Sequence, residues 1–103
     1  MSGVVPGLSG SSVPRKSERI AARAVDGKAV VVVLDARKLH TLNAVGTRVF
    51  ELCDGTRDVS TIATQIAAEF QVEAGVAERD AIEFLMRLIA EGAVEIVSAG
   101  GSR

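Results

Sequence analysis

The sequence predicts an α+β domain in which a three-stranded antiparallel sheet is followed by three helices, in the order β-β-β-α-α-α. A short extended C-terminal segment is placed to add one more strand. Three observations carry this. Asp26-Gly27 lies between two runs of β-capable residues, and Asp-Gly supplies the two positive-φ positions of a tight hairpin turn. After Asn43 the apolar spacing changes from a period of two to one near 3.6. The 103 residues are 48% hydrophobic with only three aromatics, Phe50, Phe70 and Phe84, enough for one domain around an aliphatic core.

The elements follow in order. Residues 1–14 are rich in Ser, Gly and Pro and are expected to form a flexible tail, as are residues 98–103. The domain is expected over residues 15–97. Ile20–Val25, the Asp-Gly turn and Lys28–Leu34 form the first hairpin. The Val-rich run Ala29–Leu34 suits a central strand covered on both faces. A third strand, Lys38–Leu42, is short, mixed and begins with Lys, the pattern of an edge strand. Asn43 caps a helix over Ala44–Cys53, and Asp54-Gly55 stops it. Ser60 is expected to cap a second helix, Thr61–Phe70. A loop over Gln71–Gly75 leads to a third helix, Ala77–Glu91, whose apolar face is Ile82, Leu85, Met86 and Ile89. Gly92 ends it, and Val94–Val97 is extended.

Composition excludes several classes of function. The formal net charge is −1, with a basic first third and an acidic last half. Such a distribution suits a domain that handles a charged peptide or protein surface, and equally an ordinary solvated exterior. Scarce aromatics argue against base stacking. Cys53 is the only cysteine, so no internal disulfide forms. The N-terminus lacks a basic start and an unbroken apolar run, and no stretch approaches the length of a membrane span. A cytoplasmic protein is expected.

No catalytic constellation appears. The single His40 and single Cys53 lie in different elements, and Cys53 falls on the apolar side of its helix, so a nucleophilic pair is not expected. Asp54 and Asp58 flank a glycine turn, where turn and cap roles account for them. No phosphate-cradling glycine loop or metal motif is present, so neither cofactor nor metal is expected and the chain does not read as an enzyme. The second and third helices resemble a helix-turn-helix, which raises a winged-helix DNA-binding regulator as an alternative. The third helix, however, carries Glu78, Asp80, Glu83 and Glu91 against Arg79 and Arg87, the wrong sign for a groove reader. A structural module that dimerises through its open edge is a further alternative. What remains is a strand edge at Lys38–Leu42 beside an apolar helix, an arrangement that another chain can extend. Residues alone leave open whether Lys38 merely guards that edge.

Several segments together resemble the PqqD-like family, the RiPP recognition elements. They are Leu39-His40-Thr41-Leu42-Asn43 entering a helix, Leu52-Cys53-Asp54-Gly55 ending it, Val59-Ser60-Thr61-Ile62 opening the next, and Asp80, Phe84-Leu85 and Leu88 in the last. The resemblance spans about residues 14–97. It implies a winged-helix-like fold that binds the leader of a ribosomally made precursor peptide as an added strand. The bound peptide is then presented to a modifying enzyme, often of radical S-adenosylmethionine type. Carried over by position, the peptide-binding residues are Lys38, Leu39, His40, Thr41 and Leu42 on the strand and Ile82, Leu85, Met86 and Ile89 on the helix. One departure concerns the product: Gly92 is followed by Ala93-Val94, where proteins of pyrroloquinoline quinone synthesis tend to carry Trp.

Overall fold

The computed structural model describes residues 8–99. Its elements are β1 (Ser12–Lys16), β2 (Ile20–Val25), β3 (Lys28–Val33), β4 (Lys38–Thr41), α1 (Ala44–Leu52), α2 (Val59–Phe70), α3 (Ala74–Ala90) and β5 (Val94–Ala99). They form two antiparallel sheets, β2-β3-β4 and β1-β5. The three-stranded sheet, three helices and C-terminal strand match the expected order. Asp26 and Gly27 both hold positive φ, 55° and 78°, as a two-residue hairpin that follows the strand twist requires.

Three expectations are corrected. The proposed tails reach too far inward: Ser12–Lys16 form β1 and Ser98 and Ala99 belong to β5, while residues 1–7 and 100–103 lie outside the described residues. Pro14, read as the end of a tail, sits where the register of the β1–β5 ladder shifts, a place that tolerates a residue with no N–H. Its carbonyl accepts instead from Gly55 N at 3.0 Å. The cap of α2 is Asp58, whose carboxylate accepts from Thr61 N, and α2 begins at Val59. Ser60 donates its own N–H to Gly10 O at 2.9 Å. Finally, α3 begins at Ala74, because the bond from Ala77 N to Glu73 O closes a turn earlier than the glycine implied.

The core lies between the inner face of β3 and the helices. Ala29, Val31 and Val33 point inward and are buried, and they meet Val49, Phe50, Val59, Ile62, Leu85 and Leu88. Val30 and Val32 point the other way and are only half-buried, so β3 is central but is not covered on both faces. One buried polar group joins sheet to helix. Thr47 Oγ1 on α1 accepts from Ala29 N at 2.8 Å and donates to Leu42 O at 3.3 Å. Thr47→Val keeps the volume but strands a buried donor and a buried acceptor. It should cost about 1–3 kcal/mol in urea unfolding, and a change within error would show that neither group depends on the hydroxyl.

Candidate functional site

The β4 strand is an outer strand of its sheet, and the ladder geometry shows which of its amides are free. Leu42 N donates to Ala29 O at 2.8 Å. That bond makes residues 29 and 42 a hydrogen-bonded pair in the register Val30↔Thr41, Val31↔His40, Val32↔Leu39, Val33↔Lys38. Antiparallel pairs alternate, so Lys38 and His40 also bond toward β3, while Leu39 and Thr41 turn N–H and C=O away from the sheet. The edge therefore offers two donors and two acceptors in the spacing of a strand.

Beside this edge runs a groove of about 370 Å³, lined by Leu39, His40, Thr41, Leu42 and Asn43 on one side and by Phe84, Arg87, Leu88 and Glu91 of the α3 end on the other. Asn43 both caps α1, through Oδ1 to Gly46 N at 2.7 Å, and forms the groove's end. The four helix-side residues have the spacing i, i+3, i+4, i+7, one stripe of a helix. At the far end Glu91 lies 3.4 Å from Lys38 Nζ and 3.8 Å from His40 Nε2. The second distance is too long for a hydrogen bond, and His40 Nε2 is buried with no hydrogen-bond partner among the described residues. Arg87 has no ion-pair partner among the described residues.

The strand candidates Lys38, Leu39, His40, Thr41 and Leu42 thus come together at the edge, with Leu42 itself buried. The helix candidates do not. Leu85 is fully buried in the core. Ile82 and Ile89 pack as partly buried neighbours of that core, and Ile82, Met86 and Ile89 do not line the groove. The apolar periodicity found the face on which α3 packs, and the groove sits on the flank formed by Phe84, Arg87, Leu88 and Glu91. Two of those four, Arg87 and Glu91, are charged and so fall outside an apolar pattern. Phe84 enters the reading of this helix only through the family pattern, whereas Leu88 also flanks its apolar face. A neighbouring cleft of about 390 Å³ between α1 and α3 shares Asn43, Phe84 and Arg87 with the groove.

Nucleophilic chemistry has no support at the one thiol. Cys53 is buried and donates to Val49 O at 3.2 Å. Burial pushes its pKa up to about 12, against the opposing charge of Lys16, with Asp54 reinforcing the rise. Among the described residues no group of three His, Cys, Asp or Glu side chains is placed to hold a metal ion, and no helix is long and apolar enough to cross a membrane.

Fold and groove define a small winged-helix-like domain with an open strand edge against the C-terminal half of its last helix. The family model for coenzyme PQQ synthesis protein D (PqqD) matches residues 30–94, more than half of the chain. The chain belongs to the PqqD family. Among solved structures, it is similar to TbiB1 in complex with the TbiA(beta) leader peptide (TM-score 0.73, 26% identity, 86% of this chain and 99% of that one). It is similar also to the PqqD truncation of Methylobacterium extorquens PqqCD, described as a stand-alone RiPP recognition element (TM-score 0.75, 25% identity, 92% and 99%). A lasso peptide synthetase B1 complexed with the leader peptide shares the fold (TM-score 0.72, 19% identity, 81% and 98%). A comparison with curated proteins finds no match.

Because its folded-state pKa is raised, Cys53 contributes stability that is complete below the unfolded pKa of about 8.5 and is lost as pH climbs toward the folded value. Thermal melts from about pH 8 to about pH 10 should therefore fall more in the native chain than in Cys53→Ala. An equal fall in both would show that the thiol is not held protonated by burial.

Proposed function

We propose that this chain is a non-catalytic adaptor that binds the leader of a ribosomally made precursor peptide as an added strand on β4 and presents it to a modifying enzyme, of radical S-adenosylmethionine type. The observation that carries this reading is the edge itself. Leu39 and Thr41 offer outward amides directly above a groove whose other wall holds Phe84 and Leu88. Backbone bonds to the edge would give affinity for any extended segment, and alternate side chains entering the groove would give selectivity. Two structures to which the chain is similar hold leader peptides, and the family match extends the same reading to this chain. The acidic balance of α3 gives no comparable support to a nucleic-acid interface.

On this reading Leu39, His40, Thr41, Phe84, Arg87 and Leu88 contact the peptide, with Lys38 and Glu91 at the groove's end. Leu42 and Leu85 act from beneath, by holding the two walls.

Two measurements test it. Thr41→Pro removes an outward donor and puts a ring at the edge, so affinity for a leader peptide encoded beside the gene should fall about three- to tenfold or more. Unchanged affinity in a folded variant would mean that the peptide does not pair there. Separately, Phe84→Ala should weaken binding by about tenfold while Met86→Ala leaves it within about twofold. The reverse order would return the site to the face that the apolar pattern alone indicated. In both cases circular dichroism establishes that the variants are folded.

A further inference from the structure

The three-stranded sheet has a second face, and no described element packs on it. The register that sends Ala29, Val31 and Val33 into the core sends Val30 and Val32 outward, together with Val25 of β2 and Leu39 of β4. Leu39 is 63% exposed and Val25 50%. Neither these two nor Val30 and Val32 belong to the core cluster or to the side chains packed against it. Arg23 and Lys28 share this face. Neither has an ion-pair partner among the described residues, whereas Arg19 nearby is engaged by Asp35. The face is an apolar centre rimmed by these two cations, with Asp26 of the hairpin turn as the one acidic residue between them in sequence, and large exposed apolar patches with polar rims mark interaction sites.

We infer that the outer face of β2-β3-β4 is a second docking surface, and that its occupant is an apolar, carboxylate-rimmed surface of the enzyme that modifies the bound peptide. This inference rests on the adaptor reading above. Charge selects the occupant: a second copy stacked face to face would set Arg23 and Lys28 against the same cations, while an acidic rim would complement them. Continuity with the groove connects the two surfaces. Leu39 and Thr41 turn their amides onto the open edge and their side chains onto the outer face. A strand added at that edge would extend the same face with every second side chain. A protein seated there would meet the captured peptide and the sheet as one surface, which is what presentation requires.

The test titrates the full chain with two probes, the leader peptide and the purified modifying enzyme encoded beside the gene, and follows both by calorimetry. Val32→Glu, and independently the double reversal Arg23→Glu with Lys28→Glu, should each weaken enzyme binding by about tenfold or more. The same variants should leave peptide affinity within about twofold. The double reversal alters only exposed side chains, so it decides the question even if Val32→Glu does not fold. Undiminished enzyme binding by the reversed chain, with peptide binding intact, overturns this inference and leaves the adaptor reading standing. A native chain that sediments as a dimer, and becomes monomeric on reversal, overturns it in favour of a second copy. A native chain that binds no leader peptide overturns the adaptor reading, and this inference falls with it.

Discussion

The hydroxyl of Thr47 sits where the sheet ends and the helices begin. It occupies the position between Ala29 N and Leu42 O, where the β3–β4 ladder would otherwise close on itself. The last hydrogen-bonded pair of that ladder thus runs partly through a side chain of α1. Three consequences meet in this contact. The ladder's alternation is set by the pair 29–42, so Leu39 and Thr41 are the residues whose amides face outward. The first turn of α1 is held against β3, beneath which Val31 and Val49 pack. And Asn43, one residue beyond the strand, is placed to cap α1 while closing the end of the groove.

The groove is made from what the core leaves over. The buried stripe of α3 is Ala77, Ala81, Leu85 and Leu88. Small residues at its start let α2 approach, and larger ones at its end meet the sheet. Phe84, Arg87 and Glu91 lie on the flank of that stripe toward β4, and only Leu88 belongs to both. A helix so placed cannot shift without disturbing Leu85, so the groove wall is as rigid as the core behind it. The surface pair Lys38–Glu91 adds little to that rigidity, since exposed ion pairs are worth little. Its effect is to fix the polarity of the groove's end. Lys16 makes a comparable local contribution beneath the fold: its Nζ donates to Glu51 O and Cys53 O, supplying the cation that the last turn of α1 lacks.

Local chemistry made much of this legible. The Asp26-Gly27 turn, the Asn43 cap, the helix of Phe50 and Leu52, and the edge character of Lys38–Thr41 each depend on neighbours within a few residues, and each stands where the sequence puts it. Strand β1 was invisible for the opposite reason. Ser12–Pro14 read as a tail, and Arg15 and Lys16 as no strand, because their partner, Val94–Ala99, lies at the other end of the chain. Ser60 and Asp58 are both good caps by type, and the 2.8 Å bond from Thr61 N selects Asp58.

The site divides in the same way. Strand alternation and helical period are properties of a single segment, so the residues alone reveal the open strand and an amphipathic helix after it. Which flank of that helix faces the strand depends on packing between distant segments. Ile82, Leu85, Met86 and Ile89 have the same spacing as Phe84, Arg87, Leu88 and Glu91, and a helical period carries no information about rotation relative to a neighbour. That rotation is set by how Leu85 and Leu88 seat between α2 and β3, and it leaves the aromatic ring and the charged pair of residues, with Leu88 at their edge, to form the groove.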